Sequence, residues 1–238
     1  MIPLKDDVPS RSLPIVTIAL IAVNVAAYIY QLSLGLAVDP SGRPAAESFI
    51  FEFGATPCRL TATCDRGDFP SPYVTVFTSM FLHDLSPLHI AGNMLYLWIF
   101  GDNVEDTLGH GRFLLFYLLS GVAAAAAQTI TSPTSTIPMI GASGAVSGVL
   151  GAYLLLFPYA TILTLMIFGF FVRSVHVPAV IVLGFWIVLQ LINGWLTVSA
   201  SAMGRGESGG VAWFAHIGGF LAGMLLLLLF RPRPSRRP

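Results

Sequence analysis

One serine, two histidines and an asparagine are the residues of this chain whose types and spacing could do chemistry together. Ser143 lies in Gly141-Ala142-Ser143-Gly144, a glycine-rich turn that follows the proline-broken loop 131–138 and opens an apolar run. A serine hydroxyl is a weak nucleophile and needs a base within hydrogen-bond reach. Imidazole, with an unperturbed pKa of about 6.5, is the usual one, and His216 is the sixth residue of the last apolar run, 211–230. His89 and Asn93 stand at i and i+4 on one helix face, and both can donate to an oxyanion. A nucleophile, a base, two side-chain donors and the backbone N–H groups of a helix start, Ser143 N–H among them, are the parts of an acyl-transfer site.

These residues must be carried by elements that are mostly apolar. The chain is 55% hydrophobic and 10% charged, where a soluble domain averages about 25% charged, so it reads as a polytopic membrane protein set in a lipid bilayer. The net charge of zero points to no nucleic-acid partner. A span needs about 20 apolar residues, and the runs 14–36, 87–108, 111–130, 140–157, 177–199 and 211–230 qualify or nearly do. The first contains a small-x-small triplet at Gly35-Leu36-Ala37. It is too long for a signal-peptide core of about 7–15 residues, so it reads as an uncleaved first span. The expected fold is therefore an all-α membrane protein, a six-transmembrane-helix bundle. A cytoplasmic N-terminus covers 1–13, the membrane domain 14–230 and a basic cytoplasmic tail 231–238. Segment 73–82 is too short to span and should cap the bundle or lie along the membrane surface. Segment 159–172, broken by Gly169 and closed by Arg173, reads as interfacial. Trp186 and Trp195, on the fifth span, are expected to face lipid, the alternative being that they form a lateral gate.

The distribution of Lys and Arg sets the orientation. Lys5, Arg11, Arg112, Arg173 and the arginines at 231, 233, 236 and 237 fall on one side, which becomes the cytoplasm. Arg43, Arg59, Arg66 and Arg205 fall on the other, together with loop 37–86 and its two cysteines, Cys58 and Cys64. A local disulfide and two free thiols are both open readings. In this topology Ser143, His216, His89 and Asn93 share one depth, a little below the outer surface. Polar groups inside spans are expensive and point to function. Asp102, Glu105 and Asp106 lie toward the opposite end of the second span and no carboxylate reaches the serine's depth, so a Ser–His dyad is expected rather than a triad. Ser147, one turn below Ser143, reads as a packing serine bonded to its own helix. His83 should tie the outer loop, and Glu105 should cap or pair at the cytoplasmic edge. Gly144, Gly148 and Gly151 form a smooth stripe, and Gly219 and Gly223 a small-xxx-small pair; such residues let helices approach closely in lipid.

Taken together these motifs resemble the rhomboid family of intramembrane serine proteases, of bacterial or archaeal type. His89-Ile90-Ala91-Gly92-Asn93 is similar to the family's His-xxx-Asn, Gly141-Ala142-Ser143-Gly144 to its Gly-x-Ser-Gly, and His216-Ile217-Gly218-Gly219 with Gly223 to its His-xx-Gly-xxx-Gly. The resemblance covers roughly 77–229. It implies a six-helix bundle with a water-filled cavity open to the outside. Ser143 would be the nucleophile and His216 the general base, while His89, Asn93 and the Ser143 N–H would form the oxyanion site. No cofactor would be needed, and the substrates would be the transmembrane helices of other membrane proteins. Two departures stand out. Some members carry an aromatic residue where Ser147 stands, packed on the histidine, so either Trp213 or Phe214 packs on His216 instead or the imidazole is held less firmly. Some carry a Trp-Arg pair in the first outer loop, which 37–86 lacks. The rival readings are an inactive rhomboid-like protein that binds membrane clients and a transporter. No inverted repeat is visible in the spans to favour the latter.

Overall fold

Helix α7 (Ser143–Leu156) is the element around which the others are arranged in the computed structural model, which describes residues 1–35, 37–38, 42–65, 67, 70–169, 171–203 and 211–230. Expectations for Arg66, Arg205 and the basic tail fall outside these residues. Residues 145–153 of α7 are all buried. Its sequence is apolar all round and rich in Gly and Ala, the pattern of a helix enclosed on every side. Helix α9 (Trp213–Phe230) lies against it backbone to backbone. A Cβ added to Gly219 would stand 2.1 Å from the Gly144 carbonyl oxygen, and one on Gly223 would stand 2.0 Å from that of Gly148. Helix α6 (His110–Thr131) completes this close-packed trio, with Ser120 filling the space beside Gly148 and Ala124 that beside Gly144.

Helix α5 (Pro87–Leu108) packs on α7, and α1 (Ile15–Ser33) packs on α5. Proline at the first position starts α5. Gly109, at φ +82°, ends it and lets α6 begin at once. Helix α8 (Ala179–Ala202) leans on α9 from outside. Four helices, α1, α6, α8 and α9, are long and apolar enough to cross a membrane. Helix α5 matches α6 in length but carries Asp102, Glu105 and Asp106 in its last two turns, and α7 is shorter, at 14 residues. The outward face of α9 is bare hydrocarbon, with Leu225, Leu228 and Leu229 exposed. The chain is a predominantly helical bundle of membrane type.

It is not all-α. Strands β1 (Ile2–Asp6), β2 (Thr161–Phe168) and β3 (Phe171–Pro178) form an antiparallel sheet in the order β1-β2-β3. Segment 159–172, expected to be interfacial, is most of a β-hairpin. The length argument against a span was sound, but a short apolar run does not by itself distinguish strand from helix. What decides here is the β-branched and aromatic content of 161–168, a chain reversal at Gly169 (φ +57°), and the buried alternation of Ile162 and Thr164. Strand β3 also delays the fifth apolar helix to Ala179.

The N-terminal segment is stitched to the same end of the bundle. Tyr153 Oη donates to Asp6 (2.6 Å) and the Thr161 amide to Asp7 (2.8 Å). Burial pushes the Asp6 carboxyl up to about 6. Ser10 and Ser12 donate to Asp102 and Asp106. Glu105, fully buried, accepts from the amides of Val16 and Thr17 and from the Thr17 hydroxyl, and pairs with His110.

At the opposite end, loop 37–86 contains α2 (Ala45–Phe53), α3 (Pro57–Thr61) and α4 (Pro72–Thr78). Helix α4 packs on α6 and so caps the bundle. Cys58 and Cys64 form a disulfide, which settles the two readings left open by the sequence. The disulfide-bonded turn grips the loop that leads into α7. The Cys58 amide donates to Ser135 O, Thr61 and Thr63 hydroxyls reach Pro133 O, and Ala55 and Met139 exchange backbone hydrogen bonds of 3.1 and 2.8 Å.

Candidate active site

The loop into α7 ends at Gly141, whose φ of +115° favours glycine and whose amide donates to Ser79 O at 2.9 Å. This residue has a second reason to lack a side chain. A Cβ there would stand 2.9 Å from His89 Nε2 and 3.5 Å from Ser143 Oγ. One small volume is therefore faced by both groups. Ser143 follows as the first residue of α7, where backbone N–H groups have no intrahelical acceptor and no side chain caps them.

His216 is in the first turn of α9. That turn is held from α6 by Gln128, whose Oε1 accepts from the amides of Phe214 (3.1 Å) and Ala215 (3.3 Å). Imidazole Nε2 lies 2.8 Å from Ser143 Oγ, a contact between residues 73 apart in the chain. On its far side Nδ1 lies 2.9 Å from Gln190 Oε1, on α8. Trp186, one turn before Gln190, tilts over the ring at 5.9 Å, and Trp213 meets it edge-on at 6.3 Å. Trp213 thus supplies one of the aromatics expected in place of Ser147. Trp186 is a correction, because it faces the histidine and Phe220 instead of lipid. Trp195 is 71% exposed. Ser147 Oγ donates to the Ser143 carbonyl at 2.6 Å, as a serine bonded to its own helix does.

Asn93 is buried, and its Nδ2 has no partner among the described residues although it lines the cavity. His89 Nδ1 is 3.0 Å from Asp84 Oδ2. Asp84 corrects the expectation that no carboxylate reaches this level: one does, but it serves His89 and not His216. It lies in the loop before α5, beyond the reach of a depth estimate made from spans. His83 is tied by its backbone, exchanging hydrogen bonds with the Gln31 side chain, while its buried ring packs edge-on against His89 at 5.0 Å. Burial pushes that ring down to about 4. The four groups named from the sequence line one cavity of about 1140 Å³, with Asp84, Gln128, Trp186 and Trp213 also in its wall. A hydroxyl bonded to an imidazole, with amide, imidazole and backbone donors facing the same space, is an arrangement able to attack a carbonyl and hold the resulting oxyanion.

A serine–histidine pair placed inside a bundle of apolar helices defines a narrow class of protein, and comparison with known sequences identifies it. A rhomboid domain model matches residues 70–233, more than half of the chain. Over 79 residues the chain is 44% identical to the rhomboid protease GluP of Bacillus subtilis, an overlap of 33% of this chain and 15% of that protein. It is 30% identical over 162 residues to the mitochondrial Rhomboid protein 1 of Saccharomyces cerevisiae, covering 66% of this chain and 42% of the relative. With the rhomboid protease AarA of Providencia stuartii it shares 30% identity over 149 residues, or 57% and 48% of the two chains. The chain thus spans less than half the length of each of these relatives. It belongs to the rhomboid family, and it is an integral membrane protein.

Proposed function

We propose that this protein is an intramembrane serine endopeptidase. The observation that carries the reading is the 2.8 Å contact between Ser143 Oγ and His216 Nε2 in the wall of a cavity. Relatives named as proteases support it. In the proposed reaction Ser143 Oγ attacks the scissile carbonyl while His216 Nε2 takes its proton. The Asn93 amide, the Ser143 N–H and His89 Nε2–H hold the oxyanion. Asp84, 3.0 Å from Nδ1, orients the His89 ring. The C–N bond then breaks, and the leaving amine takes the proton from His216. Water, deprotonated by the same imidazole, releases the acyl group and regenerates Ser143. Such donors are worth about 10²–10³ in rate each where they have been removed one at a time.

The substrates are transmembrane helices of other membrane proteins, cut where small or helix-breaking residues let the backbone unwind near the cavity. Helices α5 and α7 count with the four long apolar helices as spans, which makes six. Lys5, Arg11, Arg112, Arg173 and the arginines after residue 230 then face the cytoplasm with both termini. The disulfide-bonded loop and the cavity face outward, in the compartment where disulfides persist.

The test is cleavage of a transmembrane reporter by purified protein in detergent or vesicles. Ser143→Ala and His216→Ala should each reduce cleavage to background while the protein remains folded. Undiminished turnover by Ser143→Ala would exclude the mechanism.

A further inference from the structure

The base in a serine–histidine pair must present a lone pair, not a proton, to the hydroxyl. A neutral imidazole carries one N–H, and the hydrogen bond made by the other nitrogen decides where it sits. Among the described residues no carboxylate lies at His216 Nδ1, so another group must select its tautomer. The group in contact is the side-chain amide of Gln190, which is 6% exposed.

That amide has one orientation that satisfies its surroundings. Its Nε2 donates to the backbone carbonyl of Trp186, one turn earlier on α8, at 3.2 Å. Turning the group over would set two oxygens against each other at Trp186. With Nε2 committed there, Oε1 faces the imidazole and can only accept, so Nδ1 must carry the proton. In the neutral ring this leaves Nε2 bare, 2.8 Å from the Ser143 hydroxyl, which then donates. The helix thus holds the amide, the amide holds the proton, and the proton turns the lone pair toward the serine. Trp186, whose carbonyl anchors Gln190, also lies over the ring and limits its rotation.

We infer that Gln190 is a positioning residue that fixes His216 as its Nδ1–H tautomer and so makes it a base toward Ser143. This rests on the protease reading above and adds to it a third residue, on a third helix, that touches neither the substrate nor the reacting atoms.

Two measurements on the protein in detergent test it. The first is nitrogen NMR of protein labelled at histidine, with His216 assigned by comparison with His216→Ala. Nδ1 should be the protonated nitrogen in the wild type. Gln190→Leu, which removes the acceptor, should give a tautomer mixture, and Gln190→Glu, which loses the bond to Trp186 but can only accept at Nδ1, should restore Nδ1–H. A wild-type ring protonated on Nε2, or a Gln190→Leu ring unchanged from wild type, overturns the inference. The second is the rate of labelling by a fluorophosphonate. The Ser143 Oγ–P bond forms, the P–F bond breaks and the Oγ proton passes to His216. Gln190→Leu should label about tenfold or more slowly, and Gln190→Glu near the wild-type rate. Equal slowing in both variants would mean that Gln190 only fills space, and overturns the inference. Absence of Ser143-dependent labelling in the wild type would overturn the protease reading, whereas the tautomer measurement still decides the role of Gln190 by itself.

Discussion

The two ends of the helix bundle treat polar side chains in opposite ways. At the end that carries the sheet, every carboxylate of α5's last two turns has protein partners. Glu105 accepts from two backbone amides and a hydroxyl, and Asp102 and Asp106 accept from serines of the N-terminal segment. At the other end the polar groups line a cavity. His216 is held at Nδ1 and His89 at Nδ1, while the Asn93 Nδ2 has no partner among the described residues. A buried polar group closed off by protein fastens the fold. One that lines a cavity is available to a ligand. The difference teaches that polarity in a membrane bundle points to a candidate site where the groups border a cavity, and to fastening of the fold where protein encloses them.

The largest effect should come from forcing the two ends apart at their common axis. Gly219→Val and Gly223→Val place side-chain atoms against backbone carbonyls of α7 that cannot retreat. Overpacking costs about 1–3 kcal/mol where neighbours can adjust, and more where they cannot. Each variant should lose fluorophosphonate labelling entirely, and a thermal melt in detergent should show early unfolding. Glu105→Ala should act differently. It leaves two amides, a hydroxyl and His110 without their acceptor, at a cost of about 3 kcal/mol. Melting temperature should fall while labelling per folded molecule stays near wild type. A large loss of labelling at temperatures where the variant is folded would show that the closed end communicates with the cavity.

The open end was legible in the sequence because its residues come as spaced motifs. His89 and Asn93 share a helix face, and Ser143 and His216 each sit just inside an apolar run next to glycines. The closed end was not. Its strand β2 carries no polar alternation, so 159–172 read as interfacial, and pairing of residues 2–6 with 162–165 is a long-range event that no local signal announces. Residues that act on the motifs from behind were missed for a related reason. Gln190 and Gln128 are polar residues of apolar helices that belong to no spaced motif, and Asp84 is one of several loop carboxylates. Their partners are fixed by helix rotation and loop path, which the spacing of residues does not reveal. Trp186 was misplaced by the same uncertainty, since a span's sequence gives its length more reliably than its facing.

A smaller effect should follow from cutting the Cys58–Cys64 disulfide. The bonded turn does not touch Ser143, but it grips residues 133–139, which lead into Gly141. A loop this short contributes about 2 kcal/mol through the unfolded chain. Cys58→Ser with Cys64→Ser, or reduction of the wild type, should therefore lower the melting temperature modestly. It should also slow labelling of Ser143 several-fold, because the approach to α7 gains freedom. The contacts of Glu105 lie at the other end, so hydrogen exchange of Val16 and Thr17 amides should not change. Faster exchange there on reduction would mean that the two ends unfold together.

The smallest and most discriminating effect is on pH. The two ends hold titratable groups outside the spans shifted in opposite senses. His83, buried with neither ring nitrogen bonded among the described residues, is pushed down to about 4, and Asp6 is pushed up to about 6. A histidine depressed in the folded state contributes stability above its unfolded value, near 6.5, that is lost as pH falls toward 4. A carboxyl raised in the folded state contributes stability at low pH that is lost as pH rises through 6. Between pH 7 and pH 5 acidification should therefore weaken the cavity end and strengthen the sheet end. Each effect is about 1 kcal/mol, and smaller at Asp6, where solvent screens the charge. In the wild type the two nearly cancel. Replacing one at a time separates them: His83→Gln should melt higher at pH 5 than at pH 7 relative to wild type, and Asp6→Asn should melt lower. Parallel pH profiles in the two variants would show that the ends do not differ in this way, and that the cavity end does not hold a neutral histidine against protonation.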